Sequence, residues 1–197
     1  MERLVIIDNG HGAETPGKCS PDGTVKEWEI NRKIADKVAA LLEAGGLRAA
    51  LLVPGIGDTP LNQRVREANA LARQHGGSAG ALLVSVHCNA AGADGKWHKA
   101  AGFSTFVAAN ASQKSKELAA DMTTAVQRRG YKVRRPTPGQ GYWVQNLAIC
   151  RDTVCPAVLA ECFFMDNKAD AERLKSERVR TEIAEAMAEA IAKHARV

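Results

Sequence analysis

The sequence lacks long apolar runs, and none approaches the roughly 20 residues that a membrane-spanning helix needs. It also lacks a C-x-x-C pair, and its five cysteines are an odd number. Both features argue against a disulfide framework and favour synthesis in a reducing compartment. The first apolar run, residues 4–7, is short and is closed by Asp8, so no secretory signal peptide is predicted. We therefore expect a chain that is made in the cytoplasm and has no transmembrane segment.

What the sequence does contain is the composition of a globular domain. Of its 197 residues, 45% are apolar and 25% are charged, which excludes a disordered chain. Since it has no internal repeat, low-complexity tract or linker, we expect a single domain over residues 1–197 with no separate binding module. The 27 basic and 22 acidic residues leave a net charge of +5. That charge favours an acidic partner, either nucleic acid or another anionic polymer.

Apolar patterning predicts strands that alternate with helices. Short apolar runs bounded by turn residues are predicted to be strands, namely residues 4–7, 49–53, 82–87, 103–108 and 157–161. Helical periodicity and stop signals predict helices over residues 27–44, 61–75 and 112–129 and in a C-terminal segment that includes residues 179–191. The alternation predicts an α/β fold, a three-layer sandwich in which helices flank a mostly parallel central sheet.

Polar side chains stand where three of these strands end. His11 follows the first strand, His87 ends the third and Glu161 ends the last. Ligands of open α/β sheets bind beyond the carboxyl ends of the strands, so these residues are expected to converge. Glu27 opens the first helix, where the positive end of the helix dipole favours an anion. Two imidazoles and a carboxylate are a common ligand set for catalytic zinc, and a further carboxylate can act as the base.

Each of these residues also has a structural interpretation. His11 lies between two glycines and is compatible with a turn, and Glu27 with a solvated acid in the first helical turn. Glu29 competes with Glu27 as the ligand. Glu161 is compatible with a buried ion pair, whereas His87 ends a buried strand and needs a polar partner. The joint appearance of these residues favours the metal site.

Four motifs along the chain carry a family resemblance. They are residues 5–12 (VIIDNGHG), 27–31 (EWEIN), 84–90 (VSVHCNA) and 156–161 (PAVLAE). In this order they resemble the zinc-dependent N-acetylmuramoyl-L-alanine amidases of the amidase_3 type, the catalytic domains of autolysins and phage endolysins. The resemblance runs from Val5 to about Ala192. The chain departs from the family pattern at Asn9, where proline is usual, at Cys162 and in the loop of residues 13–26.

The resemblance implies a fold, a reaction and roles for residues. The fold is a phosphorylase/hydrolase-like α/β sandwich, and the reaction is hydrolysis of the amide between N-acetylmuramic acid and the L-alanine of the peptidoglycan stem peptide. The motif with asparagine four residues after the glutamate selects Glu27 over Glu29. One Zn²⁺ per chain would be held by His11, Glu27 and His87, and Glu161 would be the general acid/base. Asp8 and Asn89 are expected to support the metal ligands, and turn hydrogen bonding is the alternative for both. Arg151 is expected to bind the substrate.

Peptidoglycan is therefore the expected partner, and a monomer that acts on the cell wall after release or export is the expected state. A basic cluster at residues 132–135 comes without any nucleic-acid-binding motif, so no nucleic acid is expected. A zinc peptidase acting on another peptide is the second enzyme hypothesis, because the same ligands would hydrolyse either amide. A non-catalytic wall-binding module is the third hypothesis, and the presence of Glu161 argues against it.

Overall fold

The computed structural model describes residues 2–196, and a six-stranded sheet forms its centre. Its strands are β1 (Leu4–Asn9), β2 (Ala49–Leu51), β3 (Ala81–Asn89), β4 (Ser104–Val107), β5 (Trp143–Val144) and β6 (Ala157–Phe164). The strand order is β2-β1-β3-β6-β4-β5. The first four strands in this order are parallel to one another. β4 runs antiparallel to β6, and β5 is parallel to β4. The mostly parallel sheet predicted from the sequence is confirmed.

Helices cover both faces of this sheet. They are α1 (Glu27–Ala44), α2 (Leu61–Gln74), α3 (Gln113–Arg128), α4 (Ala148–Arg151), α5 (Lys168–Lys175) and α6 (Glu177–Ala195). The larger core lies between the sheet and α1, α3 and α6, and the smaller core lies under α2 and α4. Helices cover both faces of β1, β3 and β6. These three strands are therefore buried on both sides and mainly apolar, as expected of parallel strands. The three-layer α/β sandwich is therefore confirmed. No helix within residues 2–196 is long and apolar enough to cross a membrane.

Local details differ from the prediction where the sequence signal is short. The first turn of α2 has Pro60 at its cap position and no side-chain cap, so neither Asp58 nor Thr59 caps it as the pattern suggested. β5 and α4 span only two and four residues, too few to show a periodicity. At the start of α3 the prediction holds, because the Ser112 hydroxyl accepts a hydrogen bond from the Ser115 amide.

Strand register decides which polar residues meet. In the parallel pair of β3 and β6, His87 lies directly opposite Glu161. In the antiparallel pair of β6 and β4, Glu161 lies opposite Ser104. Directly opposed residues point to the same side of a sheet, so His87, Glu161 and Ser104 form one row across three strands. That row is level with the end of β1, because Asn9 pairs with Val86. β3 and β6 continue for two and three residues beyond His87 and Glu161, so these residues do not end their strands as predicted but lie in the carboxyl-terminal half of each.

Candidate metal centre

The loop after β1 places His11. Its backbone has a φ of 59°, in the left-handed region. A Cβ atom at Gly10 would clash with the imidazole ring of His87, so only glycine fits between the two histidines. The side chain of Asn31 steadies the loop by donating a hydrogen bond to the carbonyl of Gly10 (3.1 Å). The two imidazole rings consequently meet edge to face, with their centroids 4.9 Å apart.

Glu27 joins these two histidines. Its Oε1 lies 3.1 Å from Nδ1 of His87 and 3.4 Å from Nε2 of His11. The backbone amide of Cys88 also donates a hydrogen bond to Oε1 (3.2 Å). The carboxylate is 1% exposed, and its Oε2 has no hydrogen-bond partner within residues 2–196. Glu29, the competing ligand, points away and pairs with Lys33.

Electrostatics hold two of the three groups, His11 and Glu27, in the form that binds a metal. Burial lowers the pKa of His11 to about 4, although Glu27 opposes this shift, so the ring is neutral at neutral pH and can donate a lone pair. For His87, the hydrogen bond and negative charge of Glu27 outweigh the effect of burial and raise the pKa. For Glu27, the two histidines and Lys18 outweigh burial and lower the pKa. Glu27 is therefore held as a carboxylate.

These residues fit a metal ion. His11, Glu27 and His87 each offer one ligand atom, and the three atoms lie within 4.8 Å of one another. A buried carboxylate oxygen without a partner is costly unless something binds it, and Oε2 of Glu27 is such an atom. We call these three residues the metal group. They can hold a metal ion, and two nitrogens with one carboxylate oxygen are a donor set that suits zinc.

Glu161 completes the arrangement from the neighbouring strand. It lies opposite His87, and its Oε2 is buried without a hydrogen-bond partner within residues 2–196. Burial raises its pKa to about 7, and Glu27 adds to this rise while His87 opposes it. A carboxyl group with a pKa near neutrality can accept and release a proton under ordinary conditions. The structure thus brings all four principal residues named from the sequence to one edge of the sheet.

A buried ion pair between Arg64 and Asp8 stabilises the loop that follows β1. Arg64 donates hydrogen bonds to Oδ1 of Asp8 (2.7 Å) and to the carbonyls of Asn9 (2.8 Å) and His11 (3.2 Å). The other carboxylate oxygen of Asp8 accepts a hydrogen bond from the hydroxyl of Ser85 (2.5 Å). Asp8 is 2% exposed, so its contacts position the loop that carries His11.

The other two secondary candidates, Asn89 and Arg151, make hydrogen bonds outside the metal group. Asn89 follows His87 on β3, and its carbonyl accepts a hydrogen bond from the amide of Met165 (2.9 Å). The guanidinium of Arg151 is bound to Asp152 and Asn146, and Arg151 lines a cavity that contains none of the metal-group residues. The structure therefore does not bring Arg151 to the histidines. Cys88, the neighbour of His87 on β3, is buried.

We expect the substitution Arg64→Met to lower the free energy of unfolding by about 3–5 kcal/mol, because it leaves the Asp8 carboxylate buried and unpaired. Urea denaturation of the variant and the parent measures this difference. Arg66→Met on the same helix is the matched control, since Arg66 is exposed. Equal stability of the two variants would show that the buried ion pair does not hold the loop.

Two features beside the metal group have no clear signal in the sequence. A cavity of about 330 Å³ is lined by His11 and His87 and also by an apolar wall that includes Leu61, Leu147 and Ile149. Lys18 approaches from the loop of residues 13–26, with its Nζ 3.8 Å from Oε2 of Glu27. The unusual composition of that loop was the available signal, but it did not show which residue would turn inward.

The chain is similar to known proteins over almost its whole length. The family model described as N-acetylmuramoyl-L-alanine amidase matches residues 5–193. An endolysin of Bacillus phage SPP1 is 31% identical over 98% of this chain and 66% of its own length. An uncharacterized cell wall amidase of Bacillus anthracis is 31% identical over 94% of this chain and 34% of its own length. The chain thus spans just under two thirds and about one third of these curated relatives.

Solved structures extend the likeness to the fold. The N-acetylmuramoyl-L-alanine amidase of Clostridium difficile 630 superposes with a TM-score of 0.82 at 26% identity, covering 98% of this chain and 96% of that one. The catalytic domain of the amidase CwlV from Bacillus (Paenibacillus) polymyxa var. colistinus gives 0.81 at 25% identity, covering 97% of each chain. Relatives named amidases and endolysins are hydrolases. The chain belongs to the N-acetylmuramoyl-L-alanine amidase family.

Proposed function

From this membership we propose that the chain hydrolyses the amide bond between the lactyl group of N-acetylmuramic acid and the L-alanine of the peptidoglycan stem peptide. The observation that carries the proposal is the convergence of the metal group and Glu161 at one edge of the sheet. A base beside a metal-binding group suits hydrolysis, whereas a module that only binds the wall has no need of one. We further propose a single catalytic domain that acts as a monomer on the cell wall.

His11, Glu27 and His87 would hold one zinc ion, which, when bound, would polarise the scissile carbonyl and activate the attacking water. Glu161 accepts the proton of that water at its carboxylate. As the carbon–nitrogen bond breaks, Glu161 delivers the proton to the leaving nitrogen of L-alanine, and the hydroxyl stays on the lactyl carbonyl carbon. The lactyl group is released first as a carboxylic acid, whose proton passes to the freed amine of the peptide, so the products are a carboxylate and an ammonium group and one water is consumed.

The products of purified peptidoglycan test this proposal. We expect the zinc-loaded chain, with no other protein present, to release stem peptides with a free L-alanine amine, and mass spectrometry identifies them. No partner is expected to be needed, because the five residues 108–112 between β4 and α3 are too few for an added helix with its connections, and the side chains of His11 and His87 are 21% and 17% exposed. Cleavage within the peptide would instead establish a peptidase. A zinc-loaded chain that stays inert until a second protein is added would contradict the expectation of an open site.

A further inference from the structure

A second cavity, of about 390 Å³, adjoins the metal group without sharing a lining residue with the cavity that His11 and His87 line. Its walls are residues 16–21, a set of residues between 90 and 96, and the pair Met165 and Asp166. We call it the lysine cavity, because Lys18 and Lys96 both line it.

Lys18 links this cavity to the metal group. Its Nζ lies 3.8 Å from Oε2 of Glu27, while its side chain remains 40% exposed. Its carbonyl accepts a hydrogen bond from the amide of Glu27 (2.9 Å), which fixes the backbone of the lysine next to the start of α1. No hydrogen bond within residues 2–196 uses Nζ of Lys18, so its three donors are available to a ligand.

The arginines near the metal group are differently placed. Arg64 binds Asp8 and three backbone carbonyls through its guanidinium. Arg32 donates to the carbonyls of Gly55, His11 and Trp28. Both side chains therefore stabilise loops. Among these three cations, Lys18 is the one whose charged group makes no hydrogen bond to protein within residues 2–196 and that lines the lysine cavity.

The lysine cavity also offers an acceptor. Oδ2 of Asp166 accepts hydrogen bonds from the amides of Ala91 (2.7 Å) and Gly92 (3.1 Å). Its Oδ1 is buried and has no hydrogen-bond partner within residues 2–196. A buried carboxylate oxygen without a partner is costly, and a ligand N–H that reached it from the cavity would satisfy it. A ligand that carries both a carboxylate and an N–H group, as a peptide does, matches Lys18 and Asp166 together.

We propose that the lysine cavity receives the peptide side of the scissile amide and that Lys18 recognises a carboxylate on that peptide. This inference rests on the proposed function, and it adds a direction for the substrate across the metal group. The peptide would lie between residues 16–21 and 90–96. The lactyl and sugar side would then lie in the other cavity, along the apolar wall that includes Leu61 and Leu147. The recognised carboxylate can belong to an acidic residue or to the peptide C-terminus.

Three synthetic N-acetylmuramoyl-L-alanyl peptides separate these two sources. The first has glutamate after alanine and an amidated C-terminus, the second has glutamine and a free C-terminus, and the third has glutamine and an amidated C-terminus. We expect Lys18→Gln to lower kcat/KM about tenfold for one or both of the carboxylate-bearing substrates, the size of one partly solvent-screened charged hydrogen bond. The uncharged third substrate supplies the baseline for each protein, so the expected tenfold fall is in the ratio of kcat/KM for a carboxylate-bearing substrate to kcat/KM for the third substrate.

Zinc content and a matched variant control this experiment. Lys99→Gln should leave all three substrates unaffected, because Lys99 is exposed and does not line the cavity. Zinc content should be equal in the parent and in Lys18→Gln. If Lys18→Gln instead slows all three substrates equally and loses zinc, Lys18 merely supports Glu27 and the inference is overturned.

Binding of the product peptide keeps this inference separable from the proposed function. Calorimetric titration with alanyl-glutamate peptides is expected to give an affinity about tenfold weaker for Lys18→Gln than for the parent, with the gap shrinking as salt is added. A parent that hydrolyses no substrate but binds the acidic peptide through Lys18 would overturn the proposed function alone. Equal affinities of parent and variant for every carboxylate-bearing peptide would overturn the assignment of Lys18.

Discussion

Glu161→Gln is expected to release stem peptides about 10²- to 10⁴-fold more slowly than the parent, because a positioned general base contributes this much to a hydrolytic rate. Glutamine keeps the size of the side chain but cannot take up the proton of the attacking water. Zinc content is expected to stay at the parent value, because Glu161 is not one of the three residues of the metal group. Single-turnover rates on purified peptidoglycan, measured with metal analysis of the same samples, check both expectations.

Glu185→Gln is the matched control for this substitution, since Glu185 is an exposed glutamate on α6. It should retain the parent rate and zinc content. A Glu161→Gln rate within a few-fold of the parent would leave Glu161 as a structural acid of the sheet. Loss of zinc together with activity would instead make Glu161 a metal ligand, and the assignment of the base would be wrong.

The sequence predicts the sheet edge well because buried parallel strands have a simple signature. Each is a continuous apolar run, and a polar residue at or near the end of that run lies toward the carboxyl edge. His11, His87 and Glu161 were found in this way, although they are separated by more than seventy residues at each step. The choice of Glu27 over Glu29 needed the resemblance. Helical phase supports the same choice, because Glu27 precedes Ile30 and Ile34 by three and seven residues and so shares their buried face.

Contacts that depend on loops could not be predicted. The pairing of Asp8 with Arg64 joins residues 56 positions apart, and nothing in either local pattern indicates the partner. Lys18 lies in a loop without periodicity, where only the folded backbone decides that its ammonium reaches Glu27. Ser104 was predicted only as part of a strand, and its place beside Glu161 follows from the antiparallel register of β4. Register between distant strands is set by packing of the whole sheet.

Zinc binding is the second large effect that we expect. The purified chain should bind about one zinc ion per chain, and His87→Ala should reduce this to less than about one tenth, because a site with three protein ligands loses most of its affinity when one is removed. His87 is the ligand best suited to this test. It contacts Glu27 and the ring of His11 and packs against Gly10, so its removal opens the centre of the metal group.

His98→Ala is the control, because His98 pairs with Asp94 in a loop outside the metal group and should keep the full zinc content. Circular dichroism of both variants separates loss of metal from loss of fold. The β3 strand that carries His87 is held on both sides by β1 and β6, so we expect the variant to stay folded. Full zinc content in a folded His87→Ala variant, or less than half an equivalent in the parent, would show that the three residues are not the metal ligands. The role proposed for Glu161 would then also fail, because Glu161 can act as the base only for a water activated by a metal that His11, Glu27 and His87 hold.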